Sequence, residues 1–383
     1  RWWDHYLKGI DRGVDTDPAM RLWLMDPAVP QPHFLERPGR WLAFPKWPQA
    51  RTRTQTFHLS PDGLRTTPSR KKAKLFVSSP QTTGVKAQEW CPYGQGRIAA
   101  EGATDQREDD AGSLIFDTDI LKRPINLLGE AILKLRIASD RPQAMAAVRL
   151  CDVAPDGTSA FVTLGILNLS HRESHEHPEA MKPGKFVDLA LRLKPVGQII
   201  PKGHRLRLAI SSNYWPMVWP SPEAATLTID PSASRLDLPV VTSSKASPSV
   251  RFKPAEQASR GPVTVMEPAR ETREIRWNVE SETAAFDIKS NDGRYVIGET
   301  GTEVASTRNK TYSISRHDPL SAETVVSCHQ EFKREDWDAA VWTEVTVKAD
   351  RTHFHITGTV KATEGNEVFA TRKFRDRIKR DFI

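Results

Sequence analysis

The stretch from Lys202 to Pro216 shows the hydrophobic pattern by which the rest of the chain is best interpreted. Within it, aliphatic residues alternate with arginine and alanine: Leu206, Leu208 and Ile210 against Arg205, Arg207 and Ala209. Because successive side chains of a strand point to opposite faces, this period of two predicts a half-buried strand with both arginines on one face. Gly203 and Pro216 mark turns at its two ends.

Alternating or short apolar runs recur on both sides of this strand. They predict strands at 57–59, 74–77, 113–116, 133–137, 146–150, 161–169, 187–193, 227–229 and 236–240. Pro155-Asp156-Gly157 is a turn, since proline presets φ and glycine accepts a positive one. Many short strands without a helical pattern among them predict a mainly β fold, a two-sheet jelly-roll sandwich over residues 51–241.

The first fifty residues have a different character. Residues 1–10 place several apolar side chains on one helical face: Trp2, Trp3, Tyr6, Leu7 and Ile10. A strand is predicted at 20–25, and Pro27–Pro48 is expected to be an irregular covering segment. Since helix, loop and strand follow one another in α/β domains, residues 1–50 are interpreted as the remnant of such a domain.

The region after the sandwich divides into a linker and a further β domain. Residues 242–262 are rich in Ser, Lys, Ala, Pro and Gln, which is typical of a linker. Residues 263–383 contain successive strand patterns, with Asn291-Asp292-Gly293 as a hairpin turn. We therefore expect a second antiparallel β domain at 263–383.

Composition narrows the class of protein. Hydrophobic residues make up 38% and charged residues 27% of the 383, typical of a soluble globular chain of two or three domains. No run approaches the ~18 apolar residues of a membrane helix. Cys91, Cys151 and Cys328 are too sparse for a disulfide framework and favour a reducing, cytoplasmic location. The net charge of +7 is spread among 48 acids, so nucleic acid is not an expected partner.

Four ordered motifs resemble the cocaine esterase and Xaa-Pro dipeptidyl-peptidase family, the CocE/NonD-type serine hydrolases. They are the aromatic helix and LKG turn at 1–11, Asp105-Gln106-Arg107 followed by Leu114-Ile115-Phe116, the RLCDVAPDG hairpin at 149–157, and His204–Asn213. The resemblance covers roughly residues 1–240. It implies that the sandwich is the family's galactose-binding-like C-terminal jelly-roll, and it leaves the role of 263–383 open.

The resemblance also implies what the chain does. Family members cleave ester or amide bonds with a Ser-Asp-His triad, whose serine lies in a G-x-S-x-G turn. This sequence contains no such turn, and the family layout places the whole triad before Arg1. We therefore expect the C-terminal part of a serine hydrolase acting on a small ester, amide or peptide, inactive alone. We predict no catalytic, cofactor or metal site here, and the oligomeric state stays open.

The histidines and cysteines are the candidate metal ligands and nucleophiles of the sequence. His171, His175 and His177 form the most metal-like cluster, but they lie in a loop beside Pro178, so a solvated loop is favoured over a metal site. His353 and His355 share one face of a strand, and two ligands are too few for zinc. His5 adjoins Asp4 but lacks a nucleophile. The three cysteines show no local His or Lys pattern that would lower a thiol pKa, and they are interpreted as buried, inert thiols.

The basic and aromatic clusters are expected to have structural rather than binding roles. The basic residues around 51–74 and the dense run at 372–380 are interpreted as solvated termini and loops. Trp215 and Trp219 are expected to pack, in particular against the hydrolase domain, although they could also line an acyl or carbohydrate site. A non-catalytic ligand- or carbohydrate-binding β-sandwich therefore remains the alternative function. The helix at 1–10 and the strand at 20–25 argue against it, since a free-standing binding module has no use for them.

Overall fold

The protein is described from a computed structural model covering residues 1–32, 34–47, 52–86, 105–242, 250, 252, 261–335 and 337–383. Thr104, Cys91, Arg51 and most of the predicted linker at 242–262 lie outside these described residues.

Two short helices and fifteen strands lie in the described residues up to 242. They are α1 (Trp2–Lys8), β1 (Met20–Met25), β2 (Gly39–Phe44), β3 (Thr52–Ser60), β4 (Gly63–Arg65), β5 (Leu75–Val77), α2 (Arg107–Ala111), β6 (Leu114–Asp117), β7 (Ile125–Gly129), β8 (Ile132–Ser139), β9 (Met145–Val153), β10 (Ser159–Asn168), β11 (Val187–Arg192), β12 (Val196–Ile200), β13 (Arg205–Ser211), β14 (Leu227–Ile229) and β15 (Arg235–Val241). The mainly β prediction is confirmed. The sequence patterns missed α2, β4, β7 and β12, which are short or lack a clear alternation.

These strands form two sheets that share one core. The larger sheet has the order β2-β1-β12-β7-β15-β8-β14-β5. In addition β11 pairs with β8, β3 pairs with β15, and β4 pairs with β3. The smaller sheet has the order β10-β9-β13-β6. Side chains of both sheets meet in one apolar cluster. It includes the fully buried residues Leu133, Ile137, Leu150 and Leu206. The arrangement is a two-layer sandwich, while the jelly-roll connectivity stays a prediction.

Strand β13 lies where its pattern predicts, in the middle of the smaller sheet between β9 and β6. Leu206, Leu208 and Ile210 are fully buried in the core. Arg207 on the other face is half-buried rather than solvated, because it pairs with the buried Asp110 and the half-buried Asp117. Burial of the aliphatic face contributes about 1.5–3 kcal/mol per large side chain.

The N-terminal region adds two strands to the larger sheet, and its interpretation as the remnant of an α/β domain stays a prediction. Strand β1 pairs with β2 along six residues, and Met25 also pairs in parallel with Gln198 of β12. The expectation of an irregular segment over Pro27–Pro48 is therefore wrong, because β2 occupies part of it. Its Leu42 is buried against Leu24 of β1. Both strands thus continue the larger sheet of the sandwich.

Helix α1 forms as predicted but buries none of its residues. Trp3 is 68% exposed and Leu7 73% exposed, and Trp2 and Tyr6 are more than half exposed. The helix ends at Gly9, which adopts the left-handed conformation typical of a C-terminal cap. An exposed apolar surface therefore lies at the start of the chain. The described helices include none long and apolar enough to cross a membrane.

Residues 263–379 form one long-stranded antiparallel sheet, and its status as a separate domain stays a prediction. Its strands are β16 (Val263–Glu267), β17 (Arg270–Asn278), β18 (Thr283–Ile297), β19 (Thr302–Ser315), β20 (Glu323–Arg334), β21 (Trp337–Ala349), β22 (His353–Glu364) and β23 (Glu367–Lys379). They follow one another as a meander from β18 to β23, with β16 and β17 both paired to β18. The basic run at 372–380 is therefore mainly an edge strand, not the expected loop or terminus, and lysine and arginine commonly protect such edges.

Candidate functional site

A buried charge network links three of the four sequence motifs. Asp110 of α2 is 5% exposed and lies 3.0 Å from Nη1 of Arg149 on β9. Its carboxylate also accepts hydrogen bonds from Nη1 of Arg207 at 2.9 Å and from Oγ of Ser159 at 2.7 Å. Arg207 in addition makes two bonds to Asp117. One carboxylate thus joins α2 to β9, β10 and β13.

Arg149 is the residue that most needs this network, because its side chain is fully buried. Besides Asp110, its guanidinium donates to the side-chain oxygens of Gln106 and Ser113, both at 2.9 Å. A buried charge is tolerated only when it is paired and hydrogen-bonded. The sequence contains a signal for this site, because Arg149 and Arg207 interrupt apolar strands. The sequence analysis did not identify Asp110 as the acid that pairs with them.

Asp109, next to Asp110 on α2, contacts the segment that follows β13. Its carboxylate accepts a hydrogen bond from the backbone N–H of Gly84 at 2.9 Å and one from the Tyr214 hydroxyl at 3.4 Å. Burial raises the pKa of Asp109, and burial likewise raises the pKa of Tyr214 well above its usual value. The carboxylate thus ties the 80–86 loop to the aromatic residues after β13.

The segment from Tyr214 to Pro220 is held closely on that loop. The backbone N–H of Trp215 donates to the carbonyl of Thr83 at 2.9 Å, and the Trp215-Pro216 peptide is cis. Gly84 has a positive φ of +99°, and a Cβ there would lie 2.7 Å from the Trp215 carbonyl oxygen. Only glycine satisfies both conditions without strain.

Trp215 and Trp219 pack as expected, and within the described residues they pack against the C-terminal sheet. Trp215 is 1% exposed and lies in an apolar cluster with Val85 and residues of β18 and β19, among them Phe286. The Trp219 ring stands edge-on to Trp215 at 5.2 Å and to Phe354 of β22 at 5.5 Å. The apolar side chains of the second sheet therefore supply the surface that these tryptophans need. Trp219 also lines an open cleft.

Arg380, next to the end of β23, fixes the C-terminal sheet to this segment. It is 2% exposed, and its guanidinium donates to the carbonyl oxygens of Pro220 at 2.5 Å, Asp350 at 3.2 Å and Ile383 at 2.6 Å. It also lies 5.1 Å from the centre of the Phe354 ring. Burial lowers the pKa of Arg380 to about 10, so the side chain stays charged at neutral pH. The sequence placed this residue in a solvated run.

The histidine clusters predicted as surface groups have defined partners. Nδ1 of His171 lies 3.4 Å from Nδ1 of His175. His355 bonds to Asp350 at 2.7 Å, and His353 contacts the Thr352 hydroxyl at 2.8 Å. Across the described ranges, no three His, Cys, Asp or Glu side chains are placed to hold a metal ion.

His5 and the cysteines can be placed individually. His5 lies 3.2 Å from Asp15 rather than on its neighbour Asp4. The expected burial of Cys151 is confirmed, and this burial raises the pKa of its thiol to about 12, which favours the unreactive protonated form. Cys328 is only half-buried, so the expectation of burial is wrong there: it lies on β20 of the incompletely covered second sheet.

Comparison with known proteins identifies the class to which this arrangement belongs. Residues 12–259 match the X-Pro dipeptidyl-peptidase C-terminal non-catalytic domain, and the chain belongs to that family. The resemblance to the cocaine esterase and Xaa-Pro dipeptidyl-peptidase family is thereby confirmed. The matched region includes β1, β2 and the whole sandwich.

Individual relatives are similar over part of their length. A Mycobacterium bovis protein that carries the provisional name of a serine esterase is 26% identical over 267 residues, covering 63% of this chain and 40% of its own. The cocaine esterase of a Rhodococcus species is 26% identical over 117 residues, covering 30% of this chain and 20% of the esterase. The Xaa-Pro dipeptidyl-peptidase of Ligilactobacillus salivarius is 24% identical over 165 residues, covering 34% and 21%. The chain thus spans two fifths or less of these relatives' length.

The fold likeness extends to a solved structure. An aminopeptidase from a marine sediment Thaumarchaeota archaeon superimposes with a TM-score of 0.50 at 20% identity. The match covers 63% of this chain and 43% of the aminopeptidase. At this identity the likeness concerns the fold alone.

Proposed function

We propose that this chain is the supporting C-terminal part of a serine hydrolase that cleaves ester or amide bonds. The observation that carries the proposal is the family match over residues 12–259, described as a non-catalytic domain. Relatives named as an esterase and as a dipeptidyl-peptidase support this reaction class. The sandwich then buttresses the hydrolase domain and helps to wall its substrate pocket.

The proposal makes the chain inactive by itself. Acyl transfer by a triad enzyme requires a nucleophile activated by a base, and the sequence contains no G-x-S-x-G turn to present one. The buried network of Asp110 and Arg149 has a structural role in this view. Both side chains are buried, and their charges are paired with each other.

The exposed face of α1 is the surface we assign to the hydrolase domain. Trp3 and Leu7 are each more than two thirds exposed. Burying a large apolar side chain contributes about 1.5–3 kcal/mol, so four such groups stabilise a contact by several kcal/mol. Exposed apolar patches of this kind commonly mark interfaces.

The first experiment measures hydrolysis by the purified chain. We expect release of p-nitrophenol from short-chain p-nitrophenyl esters, and of p-nitroaniline from Xaa-Pro p-nitroanilides, at the buffer rate. Turnover above that rate, co-eluting with the protein through successive purification steps, would contradict a purely supporting role.

The second experiment joins the chain to a hydrolase domain that carries the triad. Trp3→Glu and Leu7→Glu are expected to lower the melting temperature and the esterase activity of the joined protein. Lys46→Gln changes the charge by the same amount on an exposed residue away from α1 and serves as the matched control. If the control and the variants had the same melting temperature and esterase activity, α1 would not contact the hydrolase domain.

A further inference from the structure

An open cleft of about 460 Å³ lies on the outer side of the smaller sheet. Its apolar wall comes from β9, from β10 and from the segment after β13: Met145, Leu164, Ile166, Val218 and Trp219. This size is within the usual range of small-molecule sites, about 300–1,000 Å³. Apolar lining with a few polar groups is also typical of such sites.

Two cationic side chains line the cleft because the backbone after β11 passes close to β10. A Cβ on Gly165 would lie 2.5 Å from the carbonyl oxygen of Arg192, so glycine at this position of β10 lets the end of β11 cross it. The backbone N–H of Lys194 donates to the Leu164 carbonyl at 2.8 Å, and the Thr163 hydroxyl donates to the Lys194 carbonyl at 2.7 Å. The side chains of Arg192 and Lys194 therefore line the cleft from a fixed backbone.

The charge of the cleft is one-sided. Among the described residues, the charged side chains that line it are the two cations Arg192 and Lys194; Ile383, the last residue of the sequence, also lines it, and its main-chain oxygen accepts a hydrogen bond from Arg380. Arg192 makes one ion pair, at 2.5 Å with Glu130 outside the lining, and a guanidinium has five N–H donors. Its remaining donors can therefore serve a second anion. The Asn168 amide is occupied, because it donates to the Phe382 carbonyl.

The aromatic wall is rigid. Trp219 is packed edge-on between Trp215 and Phe354, so its ring is held in place before any ligand arrives. Its indole nitrogen is buried and has no hydrogen-bond partner among the described residues. A preformed wall costs little ordering on binding.

We propose that this cleft binds a small carboxylate with a linear alkyl chain, of about six to ten carbons. The chain lies on Ile166, Val218 and Trp219, and the carboxylate is bound by Arg192 and Lys194. A guanidinium and an ammonium prefer such an anion over a neutral or cationic head group. The proposal is independent of the hydrolase proposal, because every lining residue belongs to this chain.

Calorimetric titration of the whole chain with hexanoate, octanoate, 1-octanol and octylammonium tests the proposal. We expect one site per chain and an affinity that rises about fourfold per added methylene, since each buried CH₂ contributes about 0.8 kcal/mol. Octylammonium should bind at least tenfold more weakly than octanoate. Failure of octanoate to saturate at millimolar concentration would overturn the proposal, and so would equal affinity for the cationic analogue.

Variants locate the site. Arg192→Gln with Lys194→Gln should weaken octanoate at least tenfold and leave 1-octanol unchanged, while Val218→Trp should fill the cleft and abolish both. Lys185→Gln, an exposed lysine outside the cleft, is the matched control. Circular dichroism confirms folding of each variant. Unchanged octanoate binding in the double variant and in Val218→Trp would assign the binding to another apolar surface, such as α1, and refute the proposal.

Discussion

Asp110→Asn is the sharpest test of the buried network. The substitution keeps the size of the side chain and removes its charge. Asp110 lies against Arg149 at 3.0 Å and accepts from Arg207 at 2.9 Å. Arg207 keeps two bonds to Asp117, whereas the hydrogen bonds left to Arg149 go to the neutral oxygens of Gln106 and Ser113, and its charge keeps only the longer-range attraction of Asp109. The loss of the Asp110 charge therefore affects mainly Arg149.

The expected magnitude follows from burial. Removing one partner of a buried ion pair costs about 3–5 kcal/mol, because an uncompensated charge remains inside. Arg149 is fully buried, so we expect the free energy of unfolding of the sandwich to fall by about this amount. A domain is typically stable by only about 5–15 kcal/mol, so the change removes a large share of its stability.

Urea unfolding with parallel hydrogen exchange of residues 205–211 measures this loss. Asp119→Asn is the matched control: its carboxylate is 86% exposed and pairs with Arg65 at 3.1 Å. Exposed pairs contribute about 0–1 kcal/mol. We expect a lower urea midpoint at unchanged slope, and faster exchange in β13, for Asp110→Asn alone. A loss below about 1 kcal/mol, equal to that of the control, would refute the assignment of the network as a structural centre.

Three further predictions concern other parts of the chain. Arg380→Met leaves three carbonyl oxygens without their donor, so we expect calorimetry to show earlier melting of the C-terminal sheet by about 2–4 kcal/mol; an unchanged transition would contradict this. Burial raises the pKa of Asp109, so its ionisation weakens the fold as the pH rises from the unfolded value of about 3.9 through the raised one. Asp109→Asn should therefore gain stability relative to the parent chain as the pH rises above about 4, and parallel stability curves would argue against it. Because α1 buries no residue, amides 2–8 should exchange far faster than those of β13, and equal protection would show that the helix is docked.

The period of two determined much of the fold before any coordinate was known. Leu206, Leu208 and Ile210 are buried where their alternation placed them, because a strand has no other way to separate apolar from polar side chains. The glycine and proline turns were equally local: Gly157 closes the predicted hairpin with a φ of +87°. The motif spacing along one chain was likewise sufficient to identify the family.

The tertiary structure alone decided which distant residues meet. Asp110 and Arg149 are 39 positions apart in sequence, and only the pairing of β9 with β13 beside α2 brings them to 3.0 Å. Arg380 looked like part of a solvated basic run, yet the end of β23 places it against Pro220. Sequence patterns report the environment of a residue within its own strand. Charge pairing and sheet order depend on long-range contacts, which no local pattern encodes.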